Sequence, residues 1–163
     1  MLDGGKMPKV DLSTMPCSIA RSLDVIGEGW TILVLRDVFR GIRRFDELQR
    51  DLGIATNVLT ARLKRLVDEG LLERQRYEQR PPRYEYHLTA KGRDLFPVLI
   101  ALVNWGDKYL AGPGGPPRVL VHRACGKPTS PILACPECGE SVGPGDLRLL
   151  VREEEAERAQ RAG

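Results

Sequence analysis

The sequence predicts a mainly α-helical chain with one small β-hairpin (an α+β fold class), followed by a small unit of a different kind. Three observations carry this. Apolar residues recur at helical spacing in successive segments from residue 18 to 69, each closed by a glycine. The period then shortens towards two between residues 71 and 88. After a Gly/Pro run at 111–117, three of the four cysteines fall between Cys125 and Cys138.

Each element has a local reason. Residues 1–16 are poor in core formers and hold Gly4, Gly5, Pro8 and Pro16, which reads as a flexible arm. Ser18 is placed to cap a first helix through Ala20, Leu23, Val25 and Ile26, ended by Gly27. A second helix runs from Trp30 to Arg40 and stops at Gly41, and a short third spans Phe45 to Leu52. Gly53 breaks the chain, and Thr56 or Asn57 restarts it into Val58–Glu69, so two helices flank a tight Gly turn. Leu71–Arg76 and Tyr84–Leu88 read as strands joined by a polar loop with two prolines. Thr89 is placed to cap a long helix to Leu110, with Pro97 inside it as a source of bending. That helix is apolar over more than half its circumference, more than one buried face needs. It is expected to serve a dimer as well as its own domain, with Leu99, Val103 and Trp105 in or beside the interface.

The domains expected are therefore an arm at 1–16, a winged helix-turn-helix domain at 17–110, a linker at 111–117, a Cys/His unit at 118–150 and a charged tail at 151–163. No apolar run approaches the roughly 20 residues of a membrane span. Met1 to Val10 lacks the apolar stretch of a secretory signal, so a cytoplasmic protein is expected.

Charge and helix-face arithmetic point to a partner. The net charge is only +3, but residues 36–93 hold 14 Lys/Arg against 9 Asp/Glu. A basic middle fits a polyanion; a solvated arginine-rich surface is the alternative. In the helix after the turn, Leu59, Leu63, Leu66 and Val67 share one face. Asn57, Ala61, Lys64 and Arg65 fall opposite, flanked by Thr60 and Arg62, with Thr56 at the start. Amide, small and basic side chains there can read base edges in a major groove. Arg74, Arg76, Arg80 and Arg83 cluster around the proline-stiffened hairpin, where they suit phosphates or a narrow minor groove. Double-stranded DNA is the expected partner.

The stretch Cys17-Ser-Ile-Ala-Arg-Ser-Leu-Asp-Val-Ile-Gly-Glu-Gly-Trp-Thr-Ile-Leu-Val-Leu-Arg36 closely resembles the start of the HxlR family of winged-helix regulators. Arg44-Phe-Asp-Glu-Leu48, Leu59-Thr-Ala-Arg-Leu-Lys-Arg-Leu66, Glu69-Gly-Leu-Leu72 and the Leu-Thr-Ala-Lys-Gly run within 84–92 resemble it too, in the right order over residues 17–110. The resemblance implies a homodimer on an inverted-repeat operator, with 57–69 as recognition helix and 71–88 as wing. In some members the cysteine matching Cys17 senses electrophiles or oxidants. A helix N-terminus lowers a thiol pKa, and Arg21 lies one turn onward, so Cys17 is a candidate redox sensor; a small residue packed at a dimer seam is the other reading.

The extension after the linker reads Val121-His-Arg-Ala-Cys-Gly126 and Ala134-Cys-Pro-Glu-Cys-Gly139. His122, Cys125, Cys135 and Cys138 form two pairs of ligand spacing, each closed by Cys-Gly, as in a zinc-ribbon-like Cys3His site. A structural zinc ion is the expected cofactor; free thiols or a Cys135–Cys138 disulfide are the alternatives. An enzyme is not expected: the chain has no glycine-rich phosphate loop, no nucleophile elbow and only two histidines, His87 and His122.

Overall fold

The computed structural model describes residues 11–148; the expected tail at 151–163 and most of the arm lie outside them. The element order is α1 (Ser18–Ile26), α2 (Gly29–Phe39), α3 (Phe45–Leu52), α4 (Thr56–Asp68), β1 (Leu72–Gln79), β2 (Pro82–Leu88), α5 (Ala90–Arg93) and α6 (Phe96–Tyr109). This is the winged helix-turn-helix that the hydrophobic periods predict.

The core lies between α2 and the helix-turn-helix. Val34, Leu35 and Val38 of α2 pack with Leu48 of α3, Ile54 of the turn, and Leu59, Leu63 and Leu66 of α4. Leu71, Leu72 and Leu99 close it from the hairpin and α6. Leu99 therefore packs within its own domain. The buried Asp37 carboxylate accepts from Arg36 Nε (2.8 Å) and Arg40 Nη1 (2.9 Å), and both arginines also reach Asp51 on α3 (3.4 and 3.2 Å). Two of the basic residues counted in the middle of the chain thus hold α2 to α3.

Several boundaries differ from expectation. Cys17, not Ser18, is the N-cap of α1, and α4 is entered from Ala55 rather than from a capping Thr56 or Asn57; neither cap residue offers a side-chain bond. The strands run through most of the proline-containing segment, leaving a tight turn at Arg80–Pro81. Pro82 is tolerated because it is the first residue of β2, a position at which a strand accepts proline. The long helix is divided. Thr89 does cap it, its Oγ1 accepting from the Gly92 N–H (3.0 Å), but α5 ends at Arg93. Pro97 falls in the first turn of α6, where its missing N–H costs nothing, so the break precedes it. At that joint Gly92 is buried, and a β-carbon there would stand 2.1 Å from the Leu71 carbonyl oxygen.

The chain divides into two compact units between Val103 and Asn104, within α6 rather than in the Gly/Pro segment 111–117. In the second, Asn104 Nδ2 donates to the Pro131 carbonyl (2.8 Å), which ties the last turns of the helix to the chain that follows. No helix among the described residues is long and apolar enough to cross a membrane.

Candidate nucleic-acid interface

The helix-turn-helix is held at its turn. Gly53 adopts φ 61°, a left-handed conformation that side chains other than glycine's disfavour, and its N–H donates to the Gln49 carbonyl (2.9 Å). Across the turn Gln49 Nε2 donates to Thr56 Oγ1 (2.8 Å), so α3 fixes where α4 begins. Thr56 thus serves the turn, and Thr60 Oγ1 donates to its carbonyl (2.8 Å).

Along α4 the exposed residues are Thr56, Asn57, Thr60, Ala61, Lys64 and Asp68. Lys64 carries an ion pair with Asp68 one turn on, mostly in solvent. Arg62 and Arg65 are placed differently. Arg62 pairs with Glu28 before α2 and is largely covered. Arg65 Nη2 donates to the Asp24 carbonyl (2.8 Å) and to its carboxylate (3.2 Å), with Glu69 at 3.6 Å. Both arginines brace α4 against the chain around α1 and α2 instead of projecting from the helix's open face.

In the wing, β1 and β2 pair antiparallel from Leu72↔Leu88 to Gln79↔Pro82, with the register slipping between Arg76 and Glu78. Tyr77 is the extra residue, and the bulge turns its ring beneath the Arg44 guanidinium (4.6 Å to the centroid). Arg74 and Arg76 are exposed, with the Arg74 guanidinium over the Tyr84 ring (4.0 Å). Arg76 is turned onto the hairpin's own carbonyls of Glu78 and Gln79 (3.2 and 2.7 Å). Arg83 lies 3.3 Å from Glu78, and Arg80 is exposed at the tip. Thr60 and Lys64 of α4 and Arg74 of β1 line one cleft of about 420 Å³, together with Leu63, Val67, Asp68 and Tyr86. Residues of α4 and of the hairpin therefore share a concave surface.

Sequence reasoning missed Arg44. Its Nε donates to Glu85 Oε1 (3.0 Å), and its backbone bridges to Glu85. The hydrogen bond from Arg44 holds the Glu85 carboxyl below the usual carboxylate range. The partner is remote in the chain, so no local pattern marks the pair.

Cys17 is exposed at the start of α1, and the Arg21 guanidinium is engaged by the Met15 carbonyl (3.0 Å). In the second unit His122 Nδ1 stands 3.4 Å from Cys125 Sγ. Hydrogen bonds from the backbone of Cys138 and Glu137 hold the Cys135 thiol below its ordinary pKa. Among the described residues, no three His, Cys, Asp or Glu side chains are gathered closely enough to hold a metal ion.

A helix-turn-helix with an open polar face on its second helix and an arginine-bearing hairpin beside it defines the class: a helix-turn-helix transcription regulator. Residues 25–112 match the family model described as HxlR-like helix-turn-helix, and the chain belongs to that family. It is 48% identical over 125 residues to an uncharacterised HTH-type transcriptional regulator of Mycobacterium tuberculosis, across 77% of this chain and 79% of that one. A regulator of the same description from Synechocystis is 44% identical over 95 residues, 58% of this chain and 70% of its own. The solved structure of PA1607, a candidate transcription factor, superposes with a TM-score of 0.76 at 40% identity, covering 85% of this chain and 96% of that one. The redox regulator HypR in its reduced form gives 0.54 at 34% identity, over 56% of this chain and 92% of its own.

Proposed function

We propose that the protein is a cytoplasmic transcription regulator that binds an inverted-repeat DNA site as a homodimer, with α4 in the major groove and the wing on the flanking backbone. The observation that carries this is the cleft in which Thr60 and Lys64 meet Arg74, with Asn57 and Ala61 on the same uncovered face of α4. Asn57 and Thr60 have the donors and acceptors to select bases; Lys64, Arg74 and Arg80 supply charge to phosphates. Support for the dimer comes from apolar side chains left in solvent: Ile19 and Leu23 on α1, and Phe96, Val98, Leu102 and Trp105 on α6. Footprinting on the duplex upstream of the protein's own gene tests the reading. Protection of two half-sites with a steep loss of affinity in salt is the expected outcome, at a solution mass twice the chain's 18.2 kDa. A protein-docking adaptor would show little salt-dependent duplex binding.

A redox response is a second reading, favoured by the exposed thiol of Cys17 on the helix that carries Ile19 and Leu23. It agrees with the structural likeness to HypR, a redox regulator solved in reduced and oxidised forms. Cys17→Ser is expected to keep DNA binding and to abolish its loss under peroxide or quinone; equal loss in the variant refutes this reading.

A further inference from the structure

The second unit folds the same short hairpin twice. In the first, the N–H of His122 donates to Lys127 O (2.9 Å), that of Gly126 to His122 O (2.8 Å), and that of Thr129 to Leu120 O (2.9 Å). In the second, Cys135 donates to Glu140 (2.8 Å), Gly139 to Cys135 (2.8 Å), and Val142 to Leu133 (2.9 Å). Each is flanked by the same antiparallel bridge, Val121↔Pro128 and Ala134↔Ser141. Gly126 and Gly139 take φ 68° and 75°. Position for position, His122 corresponds to Cys135 and Cys125 to Cys138, while the residues between them differ: Arg123-Ala124 against Pro136-Glu137. Within the two turns, from the first donor to the residue after the glycine, what is kept is the glycine and a pair of soft-metal donors.

The unit also lacks an interior. From Asn104 to Arg148 no residue is buried, and Val121, Ile132 and Leu133 lie mostly in solvent. Two ordered hairpins without a core need another source of cohesion, and in small units that source is commonly a disulfide or a metal. All four cysteines are free thiols.

We propose that the two hairpins are half-sites for one structural zinc ion, ligated by His122, Cys125, Cys135 and Cys138. Three thiolates and an imidazole suit zinc in tetrahedral coordination and discriminate against magnesium and calcium, which take oxygen ligands. With four protein ligands no position remains for substrate, so the ion's role is cohesion. His122 and Cys125 are already in contact, no three of the four side chains are yet gathered, and drawing the two turns together is the work assigned to the ion.

The test uses the full chain, purified without chelator, with metal measured by elemental analysis. One zinc per chain is expected; Cys135→Ser and Cys138→Ser should fall below a tenth of that, and His122→Cys should keep one, because the repeat already has cysteine at that position. Cobalt substituted for zinc reports the donors: a thiolate charge-transfer band for three sulfurs, stronger in His122→Cys. Chelation should speed exchange of the His122, Gly126, Cys135 and Gly139 amides at least tenfold while leaving those of Leu59 and Leu63 unchanged. Metal-free protein with a Cys135–Cys138 disulfide overturns the proposal, as does full zinc content in both serine variants.

Discussion

Alanine at Lys64 and at Arg65, made separately, tests whether the exposed charge of α4 meets DNA while the braced charge holds the fold. Lys64 stands in solvent with one ion pair, to Asp68 at i,i+4, worth about 0.3–0.5 kcal/mol. Its loss should leave the melting temperature within about 2 °C. If Lys64 meets a phosphate, each protomer loses one contact and the dimer two, so the slope of log affinity against log salt falls by about 1.8. Counted from 1 M salt, where that contribution vanishes, this amounts to about 30-fold weaker binding near 0.15 M. Arg65 has the opposite profile. Its loss frees the Asp24 carbonyl and carboxylate, bonded at 2.8 and 3.2 Å, both partly open to water. Resolvation offsets part of the cost and leaves about 1–2 kcal/mol, or about 2–8 °C in a chain of this size. Duplex affinity, measured well below the transition, should stay within about twofold. Fluorescence anisotropy on a mixed-sequence duplex at several salt concentrations, paired with calorimetry, measures both. A salt slope that drops in Arg65→Ala at unchanged melting temperature, or one that is unmoved in Lys64→Ala, would refute the assignment of these neighbours.

Removing both Arg80 and Arg83 should weaken all duplex sequences alike, seen as parallel shifts in band-shift titrations of several sites; loss confined to one sequence would contradict a backbone role. Gly92→Ala should destabilise by about 2 kcal/mol or more, read by denaturant midpoint, because its β-carbon meets the backbone of Leu71 rather than a movable side chain. Asn57→Ala should cost about 1–3 kcal/mol on the preferred site and little on random DNA, measured by competition binding. Glu85 has a folded-state pKa below its unfolded value, so its contribution is present above the ordinary carboxylate range and lost as pH falls through the lowered value. Amide exchange in the wing should rise over that acidic window in the native chain and show no such step in Glu85→Gln.

Periodicity locates α1 to α4 to within a residue or two, because Leu59, Leu63 and Leu66 bury one stripe and glycines close each segment. It is silent on partners. The helical wheel sets Arg65 opposite Leu59, yet only the fold brings Asp24 and Glu28 beside α4, converting two expected DNA contacts into braces. The prolines at the wing read as loop because a sequence does not say that Pro82 opens a strand directly after the turn. The break after Arg93 follows from Pro97, which has no N–H for the Arg93 carbonyl and is accommodated in the first turn of a new helix. Thr60, Lys64 and Arg74 are exposed as their places on α4 and β1 suggest, and Arg80 as its place in the hairpin turn suggests.

The hairpin is fastened to α3 as well as to itself. The Tyr86 N–H donates to the Arg43 carbonyl (2.9 Å), Arg44 bridges to Glu85, and Gln49 fixes α3 to the start of α4. Wing and α4 thus form a caliper whose opening is set by backbone bonds on the wing side and by the Gln49–Thr56 side-chain bond on the helix side. A duplex that enters it must bring its own groove width to match. If Asn57 and Thr60 read bases as proposed, base pairs that no side chain touches would also set affinity through their stiffness, and selectivity would extend beyond those few positions.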